Sequence, residues 1–319
     1  MALTIPFTKY HGLGNDFVVI DAVCDPALST LDWPAHAPRL CDRRTGIGAD
    51  GILIVTNAAD QSADVAMHIV NSDGSRAQMC GNGLRCIAMH MVERRKHPSP
   101  NLRVHTGRGV LSLRCKTRQS GTHTIVEAVT VDMGPPIFDA PQIPVNAPGP
   151  SVLNTNLQDL GSPAHTKSLQ QVAEALRPFA LESTITLSCV SMGNPHAIFF
   201  LKSLSDLPLE HLGPRIETLP VFPEKTNVHF VHVHTDAHRA VDADMITWER
   251  GAGATHACGT GACAVHAAGA ITGRLGQTSR LRLPGGVLEI TWDPRQPASG
   301  VLMKGPASRV YEGVLELPT

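Results

Sequence analysis

The sequence has almost no charge imbalance and no long apolar run. Its 319 residues carry 27 Lys and Arg against 28 Asp and Glu, a formal net charge of −1, with no basic block that would suit nucleic acid. No run reaches the roughly 18 apolar residues that a membrane-spanning helix needs. The first ten residues lack the apolar stretch of a signal peptide. We therefore expect a cytoplasmic protein, with neither nucleic acid nor a membrane as partner.

Recognisable disulfide, metal and nucleotide motifs are missing too. The eight cysteines are too sparse for the disulfide framework of a small secreted domain, and no Cys-x-x-Cys or His-Glu-x-x-His spacing is present. A histidine cluster at His229, His232, His234 and His238 falls in a strand predicted over residues 227–233 and just after it. On a strand, His229 points away from His232 and His234. We expect a solvated strand face there, with no metal and no cofactor.

What the sequence does contain is one motif that occurs twice. Cys80-Gly81-Asn82-Gly83 and Cys258-Gly259-Thr260-Gly261 have cysteines 178 residues apart, and each precedes a run typical of a helix. A thiol at a helix start lies beside unpaired backbone N–H groups and the positive end of the helix dipole. This setting lowers the pKa of the thiol and provides an anion site next to it. Two such thiols suggest an acid and a base that act on one substrate.

Other residues repeat in register with the two cysteines. Asn15 and Asn194 are 179 residues apart, and Asn71 and Glu249 each precede their cysteine by nine residues. This agreement predicts two pseudo-symmetric lobes with the active site in the cleft between them. Short β-branched runs and one helix per half indicate a strand-rich sheet wrapped around a central helix in each lobe. That arrangement belongs to the α+β class.

The composition also predicts where the lobes begin and end. Residues 1–133 are expected to form the N-terminal lobe and residues 184–304 the C-terminal lobe. Between them, residues 134–183 are rich in proline, which is typical of a surface linker with an insertion. Helices are predicted over residues 82–95 and 261–272, directly after the two cysteine motifs, and a short helical segment is predicted near Leu169 to Leu176.

Two opposed thiols suit the inversion of a carbon acid such as the α-carbon of an amino acid. Inversion removes a proton from one face and delivers one to the other, and thiols with a pKa near the working pH do both. Backbone N–H groups at Gly81-Asn82 and Gly259-Thr260 could hold the substrate carboxylate. Arg250 could pair with a second carboxylate, and His196 could tune a thiol pKa. Plain turn or surface roles remain open for Arg250 and for the asparagines Asn15, Asn71, Asn194 and Asn227.

Taken together, the motifs resemble the diaminopimelate epimerase family, cofactor-independent enzymes of lysine and peptidoglycan precursor synthesis. The resemblance covers most of the chain and lies in residues 9–17, 44–51, 71–75, 79–86, 193–196, 226–228 and 248–264. It implies the two-lobed fold around central helices, closing over diaminopimelate, with a homodimer as the usual assembly. It also implies that the C-terminal strand, residues 305–319, returns to the first lobe.

The same resemblance implies individual roles. Cys258 would accept the proton and Cys80 would donate one in the direction from LL- to meso-diaminopimelate, with the roles reversed for the return. His196 and Glu249 match positions that tune the thiol pKa values, and Tyr311 matches a tyrosine at the dimer contact. The expected substrate contacts are Asn15, Gly51, Asn71, Gly81, Asn82, Asn194, Asn227, Glu249, Arg250, Gly259 and Thr260.

The chain departs from the family pattern in two places. Ala254 stands in Arg250-Gly251-Ala252-Gly253-Ala254, where the family usually has glutamate, so a carboxylate near Cys258 is missing. The proline-rich stretch at 134–183 is also longer than the family pattern leads us to expect, and we expect it on the surface, away from catalysis.

Two alternative functions come from this reasoning. A proline racemase or hydroxyproline epimerase also uses two cysteines, but it usually has His where this chain has Asn82, and it lacks the contacts to a distal carboxylate. A relative from the phenazine pathway is disfavoured because such proteins lack the two cysteines. From another class, a thiol-based redox or metal-binding protein would use Cys80 and Cys258 as a disulfide or as ligands.

Overall fold

The computed structural model describes residues 2–161, 165–236 and 238–318. Within these ranges it is a mixture of strands and helices, which confirms the α+β class. No described helix combines the length and apolar character that a membrane span requires. The chain forms two compact units: the first is Met1–Asp132 with Lys304–Thr319, and the second is Met133–Met303.

The described residues of the first unit form strands of a sheet with two short α-helices, a 3-10 helix and a π-helix. Its elements are β1 (Ala2–Gly12), β2 (Asn15–Asp21), a 3-10 helix (Pro26–Thr30), α1 (Trp33–Leu40), β3 (Gly51–Thr56), β4 (Val65–Asn71), β5 (Arg76–Ala77), α2 (Gly81–Met89), a π-helix (His90–Arg94), β6 (Asn101–Thr106), β7 (Gly109–Ser120), β8 (His123–Asp132) and β18 (Ser308–Pro318). Strand β18 pairs antiparallel with β1, so the C-terminal strand belongs to this unit. Strands β2 and β3 run parallel, and β3 is buried along nearly its whole length.

Helix α2 is the buried helix of the first unit. All of its residues, including Leu84 and Ile87, are buried, and the helix packs against β1 and β8. The expected helix over residues 82–95 is present, but from His90 it continues as a π-helix. The helix is therefore enclosed on every side, with polar Asn82 and Arg85 buried along with its apolar residues.

The second unit has the same kind of organisation. Its elements are a 3-10 helix (Ala140–Gln142), β9 (Thr155–Asn156), a 3-10 helix (Leu157–Asp159), α3 (Thr166–Leu176), a 3-10 helix (Arg177–Phe179), β10 (Thr186–Ser191), β11 (Pro195–Phe200), α4 (Leu209–Glu217), β12 (Asn227–Val233), β13 (Ala243–Glu249), β14 (Gly253–Thr255), α5 (Gly259–Ile271), β15 (Thr278–Leu283) and β16 (Gly286–Thr291), followed by β17 (Leu302–Gly305), which spans the boundary between the units.

Strand pairing confirms that the second half repeats the first. In the first unit β2 is parallel to β3, β3 and β5 are antiparallel to β4, and β4 is parallel to β6 beyond α2. In the second unit β11, β12, β13, β14 and β15 repeat these pairings in the same order, with α5 in the place of α2. Cys80 and Cys258 thus take the same position in two copies of one topology.

The proline-rich stretch differs from the surface linker that its composition suggested. Residues 134–183 lie within the second unit. Their apolar side chains, among them Val152, Leu157, Leu169 and Leu176, are buried in one core with residues of β10, β11 and β12 such as Phe199 and Phe230. Prolines interrupt regular structure here without keeping the intervening apolar residues out of the core.

Two helices were not expected from the sequence, and both contain proline. In α1, Asp32 caps the N-terminus by accepting the Ala35 N–H at 3.4 Å, Pro34 lies in the first turn and Pro38 lies inside the helix. Helix α4 contains Pro214 and is preceded by Pro208. Proline is tolerated in a first turn but removes a hydrogen bond further in, so buried apolar side chains such as Trp33 and Ile216 stabilise these helices instead.

Candidate functional site

Cys80 lies at the N-cap of α2. Its backbone is extended, and its Sγ accepts a hydrogen bond from the Gly83 N–H at 3.4 Å. The side chain is half-buried. At 3.8 Å, Sγ also lies within hydrogen-bond distance of Asn15 Oδ1, which accepts from the thiol. The sequence placed this thiol at a helix start, and the structure puts it there in contact with Asn15.

A chain of side-chain hydrogen bonds holds Asn15 beside Cys80. Asn82 donates to Asn15 Oδ1 at 3.0 Å, and Arg85 donates to Asn82 Oδ1 at 2.7 Å. Arg85 is fully buried and also donates to the carbonyls of Pro306 at 3.0 Å and Gly81 at 3.4 Å. Because Asn82 is a fixed donor to Asn15 Oδ1, the oxygen of the Asn15 amide must face Asn82 and its nitrogen must face the opposite side.

The other end of the Asn15 amide is fixed by ionised groups. Its Nδ2 donates to Asp50 at 2.7 Å, Arg43 bridges Asp50 and Asp16, and buried Lys9 pairs with Asp16 at 2.8 Å. Burial alone would raise the pKa of the Asp16 carboxyl, but hydrogen bonds from Arg43 and Lys9 lower that pKa to about 2. Asp16 therefore remains ionised, and together with Arg43 it holds Asp50 against the Asn15 amide.

Gly51 and Asn71 are register partners at one end of strands β3 and β4. A Cβ at Gly51 would lie 2.7 Å from the Val70 carbonyl oxygen, so only glycine fits. The Asn71 amide donates to Ser75 Oγ at 2.9 Å. Both residues belong to the same unit as Asn15, Gly81 and Asn82.

Cys258 has a different environment at the N-cap of α5. It is only 3% exposed, and its Sγ lies 3.7 Å from Thr260 Oγ1. Burial raises the pKa of the Cys258 thiol well above its ordinary value, and the nearby Glu249 carboxylate raises it further, against the opposing hydrogen bonds from Thr260 and Gly261. Cys258 is therefore held as a neutral thiol, and the lowered pKa expected from its place at a helix start was wrong for this cysteine, because burial outweighs the helix terminus.

Two buried histidines adjoin Cys258. His196 Nδ1 lies 2.8 Å from His229 Nε2, and one donor atom from each histidine lies within 4.8 Å of Cys258 Sγ. Burial lowers the pKa of His229 to about 3. Burial also lowers the pKa of His196 well below its ordinary value, and the nearby His229 and Arg250 lower it further. Both rings are therefore neutral.

The hydrogen bonds around the two rings have one consistent direction. Asn194 Oδ1 can only accept, so His196 donates to it from Nε2 at 3.0 Å, and His196 Nδ1 accepts from His229 Nε2. His229 Nδ1 lies 2.9 Å from Thr247 Oγ1 and accepts a hydrogen bond from this hydroxyl. Asn194, expected as a substrate contact, is thus oriented by a histidine pair.

The prediction of a solvated histidine face was wrong for His229, which is fully buried. The side chains of β12 alternate as expected, but both faces of this strand are covered from Asn227 to Val231. A strand buried on both sides defeats an argument from alternation, because neither face is left to solvent. The parallel pairing of β11 with β12, which sets Ile198 opposite His229, brings this residue close to His196, and no pattern in the sequence revealed it.

Asn227, Glu249 and Arg250 lie close together at the ends of β12 and β13. Asn227 donates to the Pro195 carbonyl at 2.8 Å and accepts the Arg250 N–H at 3.0 Å. Thr255 donates to Glu249 at 2.6 Å, and the Arg250 guanidinium donates to the Glu224 carbonyl at 2.8 Å. The second unit therefore brings together Cys258, Gly259, Thr260, Glu249, His196 and the expected contacts of the C-terminal lobe.

Ala254 and Tyr311 are both exposed. Ala254 lies in β14 opposite Trp248, so the glutamate absent at this position would have been at the surface of β14. Tyr311, in β18, is 43% exposed, donates to the Ile47 carbonyl at 3.2 Å and packs edge-on against Phe7. Val310 and Val314 on the same strand are exposed as well.

The fold places the chain in a class of two-lobed proteins with repeated halves. A phenazine biosynthesis protein of the PhzF family from Bacillus anthracis matches with a TM-score of 0.64 at 16% identity, covering 99% of this chain and 100% of that one. A hydroxyproline epimerase from Agrobacterium vitis, solved with bound trans-4-hydroxy-L-proline, matches with a TM-score of 0.63 at 16% identity, covering 98% and 91%. At this identity the likeness concerns the fold alone.

The sequence comparison is more specific. The family model for diaminopimelate epimerase matches residues 7–138 and 188–310. A diaminopimelate epimerase from Microcystis aeruginosa is 40% identical over 315 residues, 98% of this chain and 99% of that protein. The chain belongs to the diaminopimelate epimerase family, as the resemblance of its motifs predicted.

Proposed function

We propose that the protein interconverts LL- and meso-2,6-diaminopimelate by two-thiol proton transfer at one α-carbon, without a cofactor, in lysine and peptidoglycan precursor synthesis. Family membership supports the substrate. The observation that carries the mechanism is that each unit places a cysteine at the N-cap of its buried helix, Cys80 before α2 and Cys258 before α5. A base and an acid on opposite faces of the α-carbon are what inversion demands.

In the LL-to-meso direction Cys258 accepts the proton and Cys80 donates one. The buried, Glu249-facing environment favours the thiol form of Cys258, which is the form that starts the return reaction. Thr260 and the Gly261 N–H act in the opposite sense and favour the thiolate that the forward direction needs. His196 and Glu249 tune this balance.

The starts of the two helices bind the carboxylate at the reacting centre. Gly81-Asn82 and Gly259-Thr260 lie in the first turns of α2 and α5, where N–H groups have no partner within the helix. Charge that develops on the carboxylate during proton removal is stabilised there by the helix dipole. Gly81 and Gly259 place no side chain between these N–H groups and a bound carboxylate.

The remaining substrate contacts, several of which bind the distal, non-reacting amino-acid centre, are Asn15, Gly51, Asn71, Asn194, Asn227, Glu249 and Arg250. The hydrogen bonds that fix Asn15 and Asn194 support this assignment, because an amide held in one orientation discriminates between donors and acceptors on a ligand. Arg250 supplies a guanidinium of the kind that recognises a carboxylate. We further propose a cytoplasmic homodimer, with exposed Tyr311, Val310 and Val314 of β18 at the subunit contact.

The decisive experiment measures solvent deuterium in the substrate. Purified protein in D2O is incubated separately with LL-diaminopimelate, meso-diaminopimelate and the proline isomers, and deuterium at the α-carbon is followed by NMR. Incorporation into one α-carbon of diaminopimelate is expected, with loss of roughly a hundredfold or more in Cys80→Ala and Cys258→Ala. Cys24→Ala, which changes an exposed thiol, is the matched control and should retain full activity.

Three results would contradict the proposal. Deuterium in proline but not in diaminopimelate would favour the racemase alternative. Full turnover in both Cys80→Ala and Cys258→Ala would remove the thiols from the mechanism. A wild-type activity that requires added metal or disulfide formation would favour the redox or metal-binding class.

A further inference from the structure

The cluster of His196, His229 and Cys258 contains the donor set of a metal centre. Each residue offers one donor atom within 4.8 Å of the others, and all three side chains are buried. Two imidazoles and a thiol are the ligands preferred by zinc and related borderline-soft cations. No sequence spacing indicated this cluster, because β11, β12 and the start of α5 supply one ligand each.

The outward nitrogens of the two rings already have the partners that metal-bound histidines require. His196 Nε2 donates to Asn194 Oδ1, which leaves Nδ1 facing His229. His229 Nδ1 adjoins the Thr247 hydroxyl, whose oxygen can also accept a hydrogen bond from an N–H at Nδ1. If the proton of His229 moves from Nε2 to Nδ1, then His196 Nδ1 and His229 Nε2 both present a lone pair to a metal ion. Each ring still donates its other N–H to an oxygen.

Gly261 lets His229 and Cys258 lie side by side against the first turn of α5. A Cβ built on Gly261 would overlap with His229 Cε1 and would lie 2.8 Å from His229 Nε2 and 3.0 Å from Cys258 Sγ, so a larger residue would push these two ligands away. Tetrahedral zinc with nitrogen ligands at about 2.0–2.1 Å separates them by roughly 3.3 Å. The present spacing of 2.8 Å between the two ring nitrogens thus has to open by only about half an ångström.

We propose that His196 Nδ1, His229 Nε2 and Cys258 Sγ form an inhibitory site for a zinc-class divalent cation. Binding displaces the Cys258 thiol proton to solvent and forms a metal–thiolate bond, with no change in oxidation state. The fourth position of the ion remains for water. The inhibitory effect rests on the proposed function, since a metal-bound Cys258 cannot carry a substrate proton; the binding itself does not.

The test titrates the purified enzyme with cobalt(II) as a spectroscopic substitute for zinc. One equivalent is expected to give thiolate-to-cobalt charge-transfer absorption in the near ultraviolet and the visible bands of a tetrahedral ion. The signal should disappear in Cys258→Ser and persist in Cys80→Ser. Zinc should displace the cobalt, and in the deuterium assay it should inhibit the enzyme reversibly, with recovery on adding a chelator.

Variants of two neighbouring histidines identify the ligand. His229→Gln should weaken cobalt binding by more than the roughly tenfold to hundredfold that loss of an outer partner causes. His232→Gln, on the same strand, is the matched control and should leave binding unchanged, because His232 hydrogen-bonds the Leu201 carbonyl and packs edge-on against His234, away from the three ligands. Thr247→Val, which removes the outer oxygen without touching a ligand, should weaken binding about tenfold and tests the site if His229→Gln fails to fold.

The two proposals can fail separately. Cobalt absorption that survives in Cys258→Ser, or equal affinity in wild type and in the His229 and Thr247 variants, overturns the metal site. An enzyme that binds cobalt as described but moves no deuterium into diaminopimelate overturns the proposed function and leaves the metal site standing.

Discussion

Cys80 and Cys258 occupy the same place in two units of the same topology, yet their neighbours differ in kind. Cys80 is half-buried beside the Asn15 amide, which buried Arg85 and a network of ionised groups hold in place. Cys258 is almost fully buried beside two neutral histidines and the Glu249 carboxylate. Repeated topology therefore fixes where a thiol lies, whereas the residues of each half decide its protonation and its access to solvent.

The largest expected effect concerns the Cys80 side of this comparison. Arg85→Met leaves the Asn82 side chain and the carbonyls of Gly81 and Pro306 without their buried donor, which should cost about 3 kcal/mol of stability. The urea midpoint followed by circular dichroism measures it. Arg94→Met, which breaks an exposed ion pair with Glu312, should cost less than about 1 kcal/mol. Equal losses in the two variants would show that Arg85 does not hold the Cys80 site together.

A second prediction concerns the loss of folding stability at low pH, to which the buried His266 of α5 should contribute. Burial lowers the pKa of His266 in α5 to about 4, against opposing bonds from Gln277 and Trp292 and the charge of Asp242. Below about pH 6.5 His266 is protonated in the unfolded chain but stays neutral in the folded protein. The free energy of unfolding therefore falls by about 1.4 kcal/mol per pH unit until about pH 4. The stabilisation that comes from keeping His266 neutral is fully present above about pH 6.5.

The check is urea unfolding at a series of pH values. His266→Gln should flatten the decline between about pH 6.5 and 4, and His123→Gln, a change at an exposed histidine, should not. On the first unit, the stabilisation from ionised Asp16, whose pKa is lowered to about 2, should be lost only below about pH 4. An unchanged slope in His266→Gln would contradict the neutral buried ring.

Thiol reactivity should differ by roughly tenfold or more, because Cys80 is half-buried while burial and a raised pKa protect Cys258. Timed alkylation with iodoacetamide, followed by peptide mass spectrometry, reports each cysteine in the same sample. Exposed Cys24 and buried Cys189 bracket the expected range. Equal rates at Cys80 and Cys258 would mean that the environments do not differ in the way described.

The smallest effect is expected for Ala254→Glu, which restores the residue that the family usually has. Because position 254 is exposed on β14, the urea midpoint should change by less than about 0.5 kcal/mol, and the alkylation rate of Cys258 should stay within twofold. A markedly slower Cys258 would show that the missing carboxylate does reach the thiol.

Much of the fold was predictable because local patterns and tertiary packing agree. Strand β12 was predicted at its observed bounds, and both cysteine motifs precede helices as expected. Helices α1 and α4 were missed because their prolines oppose the local signal, while buried Trp33 and Ile216 stabilise them. The role of the stretch 134–183 was misjudged for a related reason, since its apolar residues find partners only in distant strands.

The candidate site was predictable only where the residue types themselves carry the chemistry. Cys80, Cys258 and the repeated asparagines stand out in the sequence. His229 did not, because its importance comes from the ring of His196 on the neighbouring strand, 33 positions away. Arg85 was missed for the same reason: on a helix it reads as an ordinary polar residue, and only its contacts with Asn82 and Pro306 reveal what it holds.

The pairing of β1 with β18 has a mechanical consequence. Ala2 and Pro318 are register partners in an antiparallel pair, so a force that pulls the two ends apart loads the backbone hydrogen bonds one after another. Strands peeled in this geometry separate at low force, whereas strands sheared along their length resist through many bonds together. In an optical trap the first rupture should come from the opening of this seam, before tension reaches any residue of the second unit.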